Sequence, residues 1–468
     1  MTGMEVAGMD RIERGDPRFE EAISARLFNK LEVDRRPDAV LVPRTEDDVV
    51  AAVVGARAEA RRVAVRSGGH SWIGASVRDS GVLLDMSSFA HVSIDRSTRT
   101  ARIGPAVTSA QLVAALAAEG FAYPAGNCGT PGAGGYLLGG GLGLNWGHWK
   151  PACYSIRSVR VVTASGELVT ASESENADLL WLARGSCPGF PGVVTEFEIE
   201  LQDRPLDTRV SSWLFPLADL SAVTAWVARA SAELPTFVEV AVVTFGPDRP
   251  MLPPGDGVPD HLVGVTAMAF VDDEEEARRA LAPLAGGPGV PHLVYGDLDA
   301  VPFESLHFAF DASFPEGHRY LADTFWTDAT TEGVLPDLRD LLERAPSGKS
   351  FVMAIMPGNG AATTGLPQDI GAYSMDARTL VLPYVVWEDP ADDAANRSWL
   401  GEIAGRLERH SSGHFLSEVD LTVAPDRLAR SFSAESWSRL QELRRRYDPE
   451  QLFHGYPEPI EKALAEDA

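Results

Sequence analysis

Two glycine-rich segments constrain this chain more than any other feature of its sequence. The first glycine segment, Arg66 to Trp72, directly follows the predicted strand residues Val63 to Val65 and reads RSGGHSW. The second glycine segment, Gly126 to Gly143, reads GNCGTPGAGGYLLGGGLG. Glycines at this density let main-chain amides approach a ligand closely and form concave anion-binding sites, as a diphosphate requires where few cations are near. The two segments therefore predict a cofactor that carries a diphosphate.

Two other nucleotide-binding patterns are missing from the sequence. Neither glycine segment contains the Lys-Ser or Lys-Thr pair of a P-loop, which argues against ATP hydrolysis. No G-x-G-x-x-G motif occurs in the chain, so a nicotinamide-binding Rossmann site has no support.

Charge and composition limit the partners of the chain. Lys and Arg number 41 against 67 Asp and Glu, a formal net charge of −26, whereas a protein that binds nucleic acid needs a basic surface. Residues Met1 to Asp16 lack a basic segment followed by a long apolar run, and no later stretch approaches the length of a membrane-spanning helix. We expect a cytoplasmic protein with neither a nucleic acid nor a membrane as a partner.

The three cysteines are too few and too scattered for a disulfide framework or a structural zinc site. Cys128 lies in the second glycine segment. Cys153 and Cys187 are expected to be packing thiols. No metal is expected.

The pattern between Pro37 and Leu201 predicts an α+β unit with small sheets, because short β-branched runs alternate with helical segments. Thr45, with Asp48 three residues on, predicts the N-cap of a helix that ends near Ala60. A second helix is predicted from after Thr108 to Glu119. The predicted strands are Ala39 to Val42, Arg62 to Arg66, Val82 to Asp85, His91 to Asp95, Thr100 to Ile103, Ser158 to Thr163 and Leu168 to Ala171.

The composition changes near Arg204, and the residues that follow predict a second domain with an antiparallel sheet covered by helices. We divide the chain into a first domain at 1–205, a second at 206–410 and a helical C-terminal segment at 411–468 that returns to the first domain. The alternating runs that predict strands of the second domain are Phe237 to Phe245, Leu262 to Phe270, Phe351 to Met356 and Leu380 to Trp387.

Each glycine segment contains one reactive side chain, His70 in the first and Cys128 in the second. With these motifs the chain closely resembles the flavoproteins of the berberine bridge enzyme type, within the vanillyl-alcohol-oxidase-like family that has a PCMH-type FAD-binding domain. The resemblance is strong from Pro37 to Leu201, moderate in the tail and weak in the middle. Further motifs that carry it begin at Val161, Asn176, Gly192 and Tyr447.

The resemblance implies an FAD cofactor held by two covalent bonds, one from His70 to the flavin 8α-methyl group and one from Cys128 to flavin C6. The main chain of both glycine segments is expected to bind the pyrophosphate. The residues expected to bind the cofactor are Arg66, Ser67, Gly68, Gly69, His70, Ser71, Gly126, Cys128, Gly132, Gly135, Gly139, Gly140, Gly143 and Val194.

The chain departs from its relatives at the expected catalytic base. Related oxidases carry a tyrosine ahead of the last helix that deprotonates the substrate hydroxyl, and this chain has Glu418 in that place. Burial against an apolar flavin pocket would raise the pKa of this carboxyl towards the range useful for a general base. A surface glutamate is the alternative reading. Tyr456, in a turn near the C-terminus, is the second catalytic candidate.

Four aromatic residues are candidates for the wall of the substrate pocket. Trp72 is two residues from His70, and Tyr373, Tyr384 and Trp387 come from the second domain. Aromatic residues that alternate along a strand are more often core residues, so packing is the alternative role.

Three hypotheses for function follow. The first is an FAD-dependent oxidase that takes a hydride from a C–H or CH–OH group of a natural-product intermediate or sugar-bearing compound and is reoxidised by O2, with H2O2 as product. In the second, the flavin is a scaffold for a non-redox cyclisation or for ligand binding. The third is a dehydrogenase with noncovalently bound flavin that passes electrons to a protein acceptor. Peroxide release separates the first from the second, and slow reaction with oxygen would indicate the third.

Overall fold

The computed structural model of the protein describes residues 9–249, 255, 257–309, 311–357, 366, 369–457 and 460–461. Helices and small and large sheets occur together in these residues, which confirms the predicted α+β class. No helix among them combines the length and the apolar character needed to cross a bilayer. The α-helices are α1 (Phe19–Ser24), α2 (Glu46–Ala58), α3 (Ser109–Ala118), α4 (Ala133–Leu138), α5 (Trp146–Trp149), α6 (Ala177–Ala183), α7 (Leu220–Ser231), α8 (Glu274–Ala280), α9 (Phe303–Leu306), α10 (Thr331–Val334), α11 (Arg339–Glu343), α12 (Asp393–Leu407) and α13 (Ala434–Tyr447).

The first sheet carries the first glycine segment. Its strands are β1 (Asp10–Glu13), β2 (Ala39–Val42), β3 (Val63–Arg66) and β4 (Val82–Asp85). They lie in the order β1-β2-β4-β3, and β4 runs parallel to both β2 and β3. Every residue of β4 is buried, as expected for a central parallel strand. The first glycine segment begins at the last residue of β3, at the carboxyl end of this sheet.

The second sheet is antiparallel and adjoins the second glycine segment. The strands in this part of the chain are β5 (Val92–Asp95), β6 (Thr100–Ile103), β7 (Phe121–Ala122), β8 (Ile156–Thr163), β9 (Leu168–Ser172), β10 (Gly192–Glu200) and β11 (Gln202–Asp203). Five of them form a sheet in the order β5-β6-β10-β8-β9, and β7 pairs with β11. The second glycine segment lies between β7 and β8 and contains α4.

The third sheet is the large antiparallel sheet predicted for the second domain. Its strands are β12 (Asp207–Pro216), β13 (Val238–Phe245), β14 (Leu262–Val271), β15 (Val294–Ala300), β16 (Arg319–Ala322), β17 (Phe325–Thr327), β18 (Phe351–Pro357) and β19 (Thr379–Trp387). The order is β15-β12-β14-β13-β18-β19-β16, with β17 also on β19. One face packs on α7, α11 and α12, and the opposite face joins the core that contains α4 and the tail.

Local sequence signals explain several helix and strand boundaries. The Thr45 hydroxyl accepts a hydrogen bond from the Asp48 amide at 3.2 Å, and the Asp48 carboxylate accepts one from the Thr45 amide at 3.0 Å, which confirms the predicted cap of α2. Thr108 caps α3 in the same way with Gln111. The strands β2, β4 and β6 have the predicted bounds.

The C-terminal tail packs against the first sheet. Phe453 forms a parallel bridge with Val63 of β3. The Arg78 guanidinium donates hydrogen bonds to the carbonyls of Gly455 at 2.8 Å and Tyr456 at 3.1 Å. The tail thereby lies beside the first glycine segment.

A buried ion pair fixes the start of the first glycine segment. The Arg66 guanidinium is 1% exposed, lies 2.7 Å from the Asp85 carboxylate of β4 and donates to the main-chain carbonyls of Ala22 and Ile23. Its two terminal nitrogens are therefore paired within the protein, and only the rest of Arg66, including Nε, can contact a ligand.

We predict that Asp85→Asn lowers the free energy of unfolding by ~3–5 kcal/mol, because it leaves the Arg66 cation buried without its carboxylate. Urea unfolding followed by circular dichroism measures the change. The control is Glu275→Gln, which breaks the exposed pair with Arg279 and should have little effect. Equal stabilities of the two variants would contradict the prediction.

Candidate active site

The two glycine segments contact each other through their main chains. A Cβ at Gly68 would lie 2.5 Å from the amide nitrogen of Gly132, and a Cβ at Gly132 would lie 2.8 Å from the amide nitrogen of Gly68. Gly69 has φ of +74°, and its Cβ would lie 2.0 Å from the Arg26 carbonyl oxygen. Glycine is therefore required at these positions, and the two segments form one continuous wall.

This wall encloses a cavity of about 340 Å³, which is within the range of sites for small organic ligands. The third sheet contributes Met353 and Tyr384, and the tail contributes residues from Phe415 to Leu421 and from Phe453 to Gly455. The predicted site residues that line the cavity are Arg66, Ser67, Gly68, Gly69, His70, Ser71, Trp72, Gly126, Cys128, Gly132, Gly135, Val194, Tyr384 and Glu418.

His70 is held in place by the second glycine segment and by an aromatic ring. Its Nε2 lies 3.0 Å from the Thr130 hydroxyl, and its imidazole stacks on Phe28 with 4.2 Å between the ring centroids. Burial lowers the pKa of His70 to about 4. The imidazole is therefore neutral near pH 7 and keeps a nitrogen lone pair available for a bond.

Cys128 is a free, half-buried thiol in the wall of the same cavity. Burial raises its pKa to about 12, and the negative charges of Asp311 and Glu418 act in the same direction. The thiol is therefore protonated near pH 7.

Glu418 lies in the cavity wall at the end of a single helical turn in the tail. The Tyr384 hydroxyl donates a hydrogen bond to its Oε2 at 2.5 Å, and the Trp72 side chain is a second neighbour that lowers the pKa of this carboxyl. Burial raises the pKa of Glu418, and the side chains of Tyr384 and Trp72 oppose this effect. A carboxyl with a raised pKa, facing a cavity, has the properties of a general base.

Aromatic rings surround this carboxyl. The ring of Tyr384 lies 5.0 Å from that of Phe314 and 5.1 Å from that of Phe351, centroid to centroid. The ring centroids of Trp72 and Tyr320 are 5.2 Å apart. Trp72, Phe314 and Tyr384 form an apolar end of the cavity beside Glu418, and Tyr320 and Phe351 pack against these rings.

Three of the predicted cofactor glycines do not line the cavity. The missing Cβ of Gly139 faces the Ser417 hydroxyl, that of Gly140 faces the Tyr373 ring, and that of Gly143 faces the carbonyl of Ala125. Their role in the structure is close packing of the second glycine segment against the tail and its own loop. Glycine density in the sequence does not show which side of a segment faces a ligand.

Three predicted side chains also lie outside the cavity wall. Trp387 of β19 packs on the helical face of the third sheet and hydrogen-bonds to Asp393, whereas Tyr384, three residues earlier on the same strand, faces the cavity. Successive side chains on a strand point to opposite faces, which explains the difference. Tyr373 is buried against Phe415, and the Tyr456 ring lies under Arg444 near Gly189.

Sequence reasoning missed several polar residues of the wall. The buried atoms Nε of Arg78, Oδ1 of Asn127 and Nε2 of His454 have no hydrogen-bond partner in the described part of the chain. Cys187, expected to be a packing thiol, also lines the cavity. Asn127 could have been found from its place beside Cys128, but Arg78 and Cys187 carry no motif that indicates a ligand.

These unpaired atoms fit a large polar ligand such as FAD. Buried polar atoms in folded proteins nearly always have a hydrogen-bond partner, so a ligand in the cavity would satisfy them. Gly135 gives a second indication. It lines the cavity, and a Cβ built on it would meet no protein atom within 4 Å. The open space beside its main chain is where a ligand can approach closely.

Comparison with known proteins agrees with this site. Residues 37–172 match a family model described as an FAD binding domain. The FAD-linked oxidoreductase ptmO of Penicillium ochrochloron is 30% identical over 438 residues, which cover 93% of this chain and 93% of that protein. The structure of 6-hydroxy-D-nicotine oxidase from Arthrobacter nicotinovorans has a TM-score of 0.82, with 24% identity and coverage of 96% of this chain and 97% of that chain. A BBE-like protein of Physcomitrella patens also gives a TM-score of 0.82, at 18% identity, with coverage of 96% and 97%.

These similarities extend over nearly the whole chain and include the strands, the glycine segments and the tail. They confirm the family resemblance, the PCMH-type FAD-binding fold and the expectation of an FAD-dependent enzyme. The chain belongs to the FAD-linked oxidoreductases of the vanillyl-alcohol-oxidase-like family.

Proposed function

We propose that this protein is an oxidase with FAD bonded to both His70 and Cys128, which takes a hydride from a C–H or CH–OH group of a small organic substrate and uses O2 as the electron acceptor. The observation that carries the proposal is the single cavity whose wall contains His70, Cys128 and Glu418. The two anchors come from different glycine segments, and the candidate base comes from the tail.

Different residues of the cavity wall would bind different parts of FAD. The main chain of the two glycine segments would bind the pyrophosphate. Arg78, Asn127 and His454 supply the unpaired polar atoms for the remaining polar groups of the cofactor. Burial lowers the pKa of His454 to about 3, so its ring is neutral and free of charge repulsion with Arg78.

Glu418 is the proton acceptor in this proposal. Bound FAD supplies a hydride acceptor, and its reoxidation by O2 yields H2O2. Glu418 removes the proton of the substrate hydroxyl, so that a carbonyl product forms without a residual positive charge. The aromatic rings around Glu418 exclude water from this end of the cavity.

The aromatic wall supports a ring-bearing substrate. Trp72, Phe314 and Tyr384 offer flat apolar surface beside the carboxyl, and such rings stack on other rings. A natural-product intermediate therefore fits better than a free oligosaccharide. Assay of H2O2 release with a panel of ring-bearing alcohols and amines, and with sugars as the comparison, identifies the substrate class.

Acid precipitation tests the two covalent bonds. We expect the wild-type protein to keep its yellow colour in the pellet, the single variants His70→Ala and Cys128→Ala to keep part of it through the remaining bond, and the double variant to lose it. Flavin absorbance of pellet and supernatant gives the result. Complete release of FAD from the wild type would contradict the proposal.

Gly135→Val tests where the cofactor lies. The new side chain would occupy cavity space without meeting protein atoms, so we expect a folded protein with greatly reduced flavin content. The matched control is Gly55→Val in α2, a helical glycine that also has open space but lies outside the cavity. The ratio of flavin to protein absorbance measures the effect, and equal ratios in both variants would argue against cofactor binding at Gly135.

Glu418→Gln tests the proton acceptor. Removal of a general base typically slows a reaction by ~10²–10⁴-fold, and we expect that decrease in anaerobic flavin reduction by the substrate that releases peroxide in the panel. Flavin content should not change. Tyr456→Phe is the comparison, since Tyr456 lies outside the cavity wall and its variant should react at close to the wild-type rate. A Glu418→Gln enzyme as fast as wild type would exclude Glu418 as the base.

A further inference from the structure

Side chains from two different parts of the fold act on the Glu418 carboxyl. The Tyr384 hydroxyl, on β19 of the third sheet, donates to its Oε2 at 2.5 Å. The Trp72 side chain, at the end of the first glycine segment, lies 6.2 Å from the Tyr384 ring, centroid to centroid, lines the same cavity and is the second N–H or O–H donor that lowers the pKa of Glu418. Hydrogen bonds to an ionised acceptor are the stronger kind, and two of them limit the orientations open to the carboxylate.

Neighbouring rings hold both donors in place. Tyr384 packs between Phe314 and Phe351, with ring centroids 5.0 Å and 5.1 Å away. Trp72 packs on Tyr320 at 5.2 Å and on Phe314 at 6.0 Å. Each donor can therefore keep its direction without help from a ligand.

The main chain that carries Glu418 is fixed as well. The Ser417 hydroxyl donates to the Gly139 carbonyl at 3.0 Å, and the Phe415 amide donates to the Thr324 hydroxyl at 2.8 Å. The carboxyl thus sits on an anchored turn and is oriented by two donors that do not belong to that turn.

We propose that Tyr384 and Trp72 are positioning residues that keep Glu418 as an oriented carboxylate in the wall of the cavity. The role in catalysis rests on the proposed function, in which Glu418 accepts the substrate proton. In that step the substrate O–H bond breaks, its electron pair stays on the substrate oxygen, and the proton forms a new O–H bond with Glu418. Tyr384 and Trp72 keep their own protons throughout.

Tyr384 and Trp72 affect the protonation of Glu418 because few other groups near it act on its pKa. Burial raises its pKa, and among the described residues the groups that lower this pKa are Tyr384 and Trp72. The other titratable groups that interact with it are Cys128 and Tyr136 of the second glycine segment, both neutral near pH 7 because burial raises their pKa. The Tyr136 hydroxyl also donates a hydrogen bond to the Pro124 carbonyl. Loss of a donor should therefore favour the protonated carboxyl.

The experiment is an infrared pH titration of the flavin-loaded protein. The carboxyl stretching band of Glu418 is assigned by its loss in Glu418→Gln, and its midpoint is compared in the wild type, Tyr384→Phe and Trp72→Phe. The matched control is Tyr320→Phe. Tyr320 belongs to the same aromatic group, but its hydroxyl donates a hydrogen bond to the Pro315 carbonyl and not to Glu418. Tyr384→Phe keeps the ring and its packing, so it tests the proposal even if Trp72→Phe folds poorly.

We expect the midpoint to rise by about one pH unit in Tyr384→Phe and in Trp72→Phe, because each change removes a donor to the ionised form. Tyr320→Phe should titrate like the wild type. An unchanged midpoint in Tyr384→Phe would overturn the proposal, as would an equal rise in Tyr320→Phe. Failure of the proposed function is seen separately, as normal flavin reduction in Glu418→Gln.

Discussion

The main-chain contact between Gly68 and Gly132 is the constraint on which the rest of the site depends. Each residue lies so close to the amide of the other that a Cβ on either would clash with backbone. The contact joins a loop at the end of β3 to a loop that begins after β7, and it brings His70 and Cys128 into the wall of one cavity. The proposed FAD site and the two proposed anchors both depend on this approach.

The other elements complete the site around that contact. The Arg66–Asp85 pair holds the start of the first glycine segment, and Arg78 ties the end of the tail beside it. The third sheet closes the opposite side and presents Tyr384, while the tail presents Glu418. Groups from the first glycine segment, the third sheet and the tail thus meet at one carboxyl, which explains why no single stretch of sequence contains the site.

Local patterns in the sequence predicted the elements better than the orientation of their side chains. The capping box at Thr45 and Asp48 gave the correct start of α2, and the apolar run of β4 gave correct bounds, because caps and buried strands depend on neighbouring residues. The face of β19 that meets the cavity depends on tertiary packing, so Tyr384 and Trp387 could not be separated in advance. The side of the second glycine segment that faces the ligand, and the unpaired atom of Arg78, likewise follow from contacts distant in sequence.

The most direct test of the account is tandem mass spectrometry of proteolytic fragments from the purified, flavin-loaded protein. If the contact between the glycine segments places both anchors against one flavin, the peptide with His70 and the peptide with Cys128 should appear as one species, joined through a single FAD. Recovery of both peptides unmodified from protein that contains FAD would contradict the account.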